Sequence, residues 1–168
     1  SIKNTVLNTA IPLFKAFMFV SGIFILFYWH KNYLFFNILD NLHLIKITYL
    51  IGIISIIFLF LYLIFLGENN YYKFFRKIGI FIYLLFSIIS ELLLSIIYKK
   101  NYMNHLLKKK MINNKLILSI FLVSVGIILF PFMIMKIENV SNLRNIISWN
   151  YFLLIQVNFL LTFFIWKK

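Results

Sequence analysis

A chain of 168 residues that is 63% hydrophobic and 12% charged lies far from a soluble domain, in which about a quarter of residues carry charge. Seventeen Lys and Arg against four Asp and Glu give a formal charge of +13, and the absence of cysteine excludes disulfides, Fe–S clusters and thiolate metal sites. Phe, Ile, Leu, Tyr, Asn and Lys dominate, as AT-rich codons would encode. Much of the Phe excess and part of the Lys excess are therefore discounted as functional signal.

The apolar residues fall into five stretches, Ile11 to Trp29, Ile47 to Leu66, Ile78 to Tyr98, Leu116 to Met135 and Trp149 to Trp166. A bilayer core about 30 Å thick needs roughly 20 apolar residues in helical conformation, so each stretch is of spanning length. The expected fold is an all-α polytopic membrane bundle. It has five transmembrane helices, short interfacial segments and no soluble domain, with residues 1–168 forming one membrane domain.

The first stretch exceeds the h-region of a cleavable signal, about 7–15 residues, and is read as a retained helix with Lys15 near one end. The chain opens on Ser1 rather than Met, as it would after processing or inside a longer precursor. Tyr33 to Leu42 follows, too apolar for open water and read as a membrane-surface segment. The second stretch, anchored by Lys46, carries Gly52 and Ser55 on one face, where a neighbouring helix can approach closely. Gly67 to Lys77 reads as a tight connection with aromatic anchors.

The third stretch holds Glu91, the only carboxylate well inside an apolar run. A charge at such depth costs roughly 2.5–3.5 kcal/mol on insertion scales and usually faces protein or water. Tyr83, Ser87, Glu91 and Ser95 recur every four residues and mark one polar face. The link Lys99 to Lys115, KKNYMNHLLKKKMINNK, places Met103, Leu107 and Met111 at helical spacing beside a row of lysines. Lys99, Lys100, Lys108, Lys109, Lys110 and Lys115 are its contacts to anionic lipid or to an acidic partner, or else a solvated connector that sets topology. Nucleic acid is not expected as a partner.

The fourth stretch contains Ser119, Ser124, Gly126 and Pro131, the last expected to kink its helix. Ile137 to Ile147, with Ile137, Val140, Leu143 and Ile147 at helical spacing, reads as another surface segment. The fifth stretch carries Asn158 and Thr162 one turn apart, with Gln156 on another face. Counting about 1.5 Å per residue from the ends puts Ser55, Ser124 and Asn158 near the depth of Glu91. The sequence thus predicts an intramembrane polar cluster of Glu91, Ser87, Ser95, Asn158, Thr162, Ser124 and Ser55, with Lys46 or His43 as candidate partners of the carboxylate.

Five spans put the termini on opposite faces. Nine basic residues (Lys31, Lys99, Lys100, Lys108, Lys109, Lys110, Lys115, Lys167, Lys168) share the C-terminal side and six (Lys3, Lys73, Arg76, Lys77, Lys136, Arg144) the N-terminal side. The positive-inside rule then favours an N-terminus outside and a cytoplasmic C-terminus. The sequon Asn139-Val140-Ser141 on the N-terminal side agrees with that sense.

His30, His43 and His105 lie in loops or at span ends, away from where a bilayer haem would need them, and no HExxH, Walker A, GxSxG or EF-hand pattern occurs. No cofactor, metal site or catalysis is therefore expected. The role that remains is accessory or regulatory, beside a larger integral membrane protein such as a transporter, ion pump or respiratory assembly. Alternatives are a small channel or transporter using Glu91 as its proton or cation site, and a lipid-binding scaffold.

Overall fold

The computed structural model describes residues 2–36, 42–67, 72–102, 106–134 and 141–166. Within them the chain forms five helices and no strand: α1 (Ile2–Phe36), α2 (Leu42–Phe65), α3 (Lys73–Tyr102), α4 (Leu106–Ile134) and α5 (Ser141–Trp166). Long runs of Leu, Ile and Phe with few glycines favour this outcome. In lipid each backbone N–H and C=O needs a partner within its own segment, a condition that a helix meets residue by residue.

Among the described residues, four helices are long and apolar enough to cross a membrane, along Ile11–Phe36, His43–Phe65, Phe74–Asn101 and Lys109–Ile128. This makes the chain compatible with a multi-pass integral membrane protein. In α5 the described residues form the apolar run Leu153–Trp166.

Helices outrun the apolar stretches. α1 has 35 residues, about 52 Å at the helical rise. It includes Pro12 and continues to Phe36, so the first part of the expected surface segment at Tyr33 to Leu42 belongs to a helix; residues 37–41 lie outside the described residues. The linker Lys99 to Lys115 is likewise mostly helical: α3 takes its first residues and α4 its last, with 103–105 outside the described residues. α4 runs past Pro131 to Ile134, and α5 begins at Ser141, which absorbs the second half of the other expected surface segment. The sequon residues Asn139 and Val140 lie outside the described residues.

Contacts group the chain into two compact units, Ser1–Ser87 and Ile88–Lys168. In the first unit α1 packs on α2. Gly52 sits so close to Trp29 that a Cβ there would stand 2.5 Å from the indole ring. Gly79 on α3 approaches α2 similarly, with a Cβ falling 3.1 Å from the Phe58 carbonyl oxygen. After α2 the chain turns at Gly67, whose φ of 86° is the left-handed conformation that ends many helices and suits glycine. In the second unit α4 packs on α5. Tyr151 donates to the Leu122 carbonyl at 2.8 Å, filling the space above Gly126, where a Cβ would meet its hydroxyl at 2.5 Å.

Candidate functional site

The second unit encloses a polar centre made by three helices. On α4 the buried residues Ile112, Lys115, Ser119 and Leu122 recur at alternating steps of three and four, and on α5 Tyr151, Ile155, Asn158, Thr162 and Ile165 do the same. That period turns one seam of each helix inward, and Lys115, Ser119, Asn158 and Thr162 occupy seam positions that apolar residues would otherwise fill. α3 contributes Glu91 and Ser95.

Lys115 Nζ donates to Glu91 Oε2, and the two side chains are 0% and 1% exposed. Lys115 also donates to Asn158 Oδ1 at 3.0 Å and to the Asn158 carbonyl at 3.3 Å. An ammonium has three N–H donors, so each meets an oxygen and the cation is fully coordinated by protein. The amide of Asn158 donates to Ser119 Oγ at 2.8 Å. Ser119 and Ser95 hydroxyls meet at 2.9 Å, while Ser95 also reaches the Glu91 carbonyl at 2.7 Å and Ser119 the Lys115 carbonyl at 2.8 Å. Two hydroxyl protons serve these three contacts, so only two of the three carry a proton at once. Thr162 closes the set at 3.5 Å from the Asn158 carbonyl.

An ion pair removed from water is held by close geometry and by satisfying its remaining donors, because desolvation costs several kcal/mol per ion. Both conditions are met here. The arrangement is formally neutral, with the positive charge of Lys115 opposite the negative charge of Glu91. Chemically it works as a cross-link, tying α3, α4 and α5 through one cation.

Of the residues expected to cluster, Glu91, Ser95, Asn158 and Thr162 come together in this unit. Ser124 is exposed and donates to the Ile120 carbonyl of its own helix at 3.0 Å, because it lies off the seam that Ser119 and Leu122 define. Ser55 and Ser87 are buried in the first unit, and Ser55 donates to the Gly52 carbonyl at 2.7 Å. Glu91 pairs with Lys115, while the expected partners Lys46 and His43 are exposed on α2.

Lys115 and Ser119 are the members that sequence reasoning missed. Lys115 stands one residue before the fourth apolar stretch and was grouped with the loop lysines. α4 starts nine residues earlier at Leu106, so Lys115 lies well inside a helix. The spacing Ile112, Lys115, Ser119, Leu122 was the available signal. The remaining lysines differ from it: Lys99, Lys100, Lys109 and Lys110 are exposed, and Lys108 lies on α4 with its side chain outside the described residues.

No protein-family model, no curated protein and no solved structure matches this chain. Its function is therefore read from the chemistry of the site.

Proposed function

We propose that the chain is a non-catalytic, five-span integral membrane protein that serves as an accessory or regulatory subunit of a larger membrane complex, such as a transporter, ion pump or respiratory assembly. The observation that carries this reading is the pairing of Glu91 with Lys115 inside the chain. A carboxylate that serves a travelling proton or cation must be open to it, whereas this one is already matched by a fixed ammonium whose three donors are engaged. The polar centre thus supports assembly of helices better than passage of ions. The 26 residues of α5, about 39 Å at the helical rise, support the fifth crossing.

Orientation follows the charge bias. With Lys115 neutralised at depth, eight basic residues on the C-terminal side stand against six on the other, and the C-terminus remains cytoplasmic.

The test is gentle detergent extraction followed by native mass measurement and identification of what travels with the chain. A larger integral membrane protein in fixed stoichiometry is expected. Purified chain reconstituted alone is expected to pass no ions. Flux that disappears with Glu91→Gln while the protein stays folded would overturn the accessory role in favour of a channel or transporter.

A further inference from the structure

The second unit carries another charged feature, separate from the ion pair. α3 runs out to Tyr102 and α4 starts back at Leu106, so the end of one helix and the start of the next stand at the same end of this unit. Lys99, Lys100, Lys109 and Lys110 are exposed there. From Leu92 to Ile137 the sequence contains no Asp or Glu. Lys115 does not add to this group, because Glu91 holds it at depth.

The level of these lysines is set by two independent observations. The apolar run of α3 ends at Tyr98, directly before Lys99 and Lys100, which stand eight and nine residues after Glu91. On α4, Lys109 and Lys110 stand six and five residues before Lys115, so all four lie on one side of the buried pair, about 8–14 Å from it along their helices. Beside Lys99, the Tyr98 hydroxyl accepts a hydrogen bond from the Trp166 indole at 2.6 Å. Trp166, half-buried at the end of α5, is a residue type that concentrates where hydrocarbon gives way to headgroups, and Tyr98 is buried against it. A lysine one or two residues beyond that pair lays its stem along the apolar end and places its ammonium among the headgroups.

We propose that Lys99, Lys100, Lys109 and Lys110 form a basic collar that binds the phosphates of anionic phospholipids in the leaflet at the α3–α4 end. Continuous helix ties each lysine to the buried Glu91–Lys115 pair, which sets the ammoniums at headgroup depth rather than above it, where a soluble acidic protein would dock. The collar rests on the reading that these helices cross a membrane, and it is independent of the accessory role.

The full chain reconstituted in vesicles of phosphatidylcholine, alone or mixed with phosphatidylglycerol, provides the test. Phospholipid retained after mild detergent release is read by native mass spectrometry. Phosphatidylglycerol is expected to be retained over phosphatidylcholine, with a preference that weakens as salt is raised. Changing Lys99, Lys100, Lys109 and Lys110 to Gln should lower it by about fivefold per lysine, while the fourfold Arg variant should keep it. Equal retention of the two lipids, or an unchanged preference in an inserted Gln variant, overturns the collar. So does capture of an acidic protein by the native chain, lost in the Gln variant, without any lipid preference. A chain stripped from vesicles by alkaline washing whatever their charge overturns the membrane crossing itself, so the two failures are distinguishable.

Discussion

The two units of this chain solve helix association in different ways. In the first, four polar side chains turn back on their own helices: Ser21 to Phe17, Asn32 to Tyr28, Thr48 to Leu44 and Ser55 to Gly52, each donating to a carbonyl at 2.7–2.9 Å. Contact between helices comes from shape, with Trp29 seated on Gly52 and α3 close against α2 at Gly79. In the second unit the polar groups reach across, from Lys115 to Glu91 and Asn158 and from Asn158 to Ser119. Lipid is as apolar as a leucine, so there is little hydrophobic drive to bring helices together within a bilayer. Close packing and interhelical polar contacts are the two remaining sources of association, and each unit emphasises one of them.

This contrast can be broken most sharply at the ion pair. Glu91→Leu or Lys115→Met alone leaves an uncompensated buried charge and should destabilise the protein by about 3–5 kcal/mol. Thermal unfolding in detergent, or loss of folded yield, reads that effect. The double variant Glu91→Leu, Lys115→Met should recover most of it, since apolar residues of similar volume replace a neutral pair. Double-variant stability no better than that of the single variants would mean that Asn158 and Ser119 depend on the charge.

A second test addresses shape in the first unit. Gly52→Val inserts carbon where the Trp29 ring already lies, and an overpacking cost of about 1–3 kcal/mol is expected. Trp29 should shift its emission as the indole is displaced, with the ion pair of the other unit left intact. A comparable loss should follow Asn158→Leu, which removes the acceptor for Lys115 and the donor to Ser119 and leaves buried groups unsatisfied, at about 1–3 kcal/mol.

The smallest effects compare serines of the two units. Ser95→Ala deletes a contact between helices and should cost about 0.6 kcal/mol, an average for such bonds in membranes. Ser55→Ala and Ser124→Ala delete bonds within a single helix and should stay within about 0.5 kcal/mol. A larger loss at Ser55 than at Ser95 would erase the distinction between the units.

Much of the helical plan was legible along the chain. Each of the five apolar stretches has a helix over it, because a run of Ile, Leu and Phe offers the backbone no better partner than its own fourth neighbour, even where Pro12 and Pro131 interrupt it. Helix ends were less legible. Composition marks where apolar residues stop, but hydrogen bonding propagates further, as α3 and α4 do through the basic segments on either side of residues 103–105. That difference hid Lys115. Read as the last residue of a loop it belongs with its neighbours; read as the tenth residue of a helix it lies on the seam with Ser119. Depth counting brought Glu91 and Asn158 together but could not separate Ser124 from Ser119, because depth says nothing about which way a helix face turns.

By itself the sequence determined that this chain is helical, rich in segments of membrane-spanning length, and in need of an answer for the charge of Glu91. Those properties follow from local composition, since hydrocarbon solvation and backbone hydrogen bonding act on each segment separately. Only the tertiary structure decided that the answer is Lys115, with Asn158 and Ser119 completing it. The partner of a long side chain depends on which faces of three separate helices meet, and no single segment contains that information.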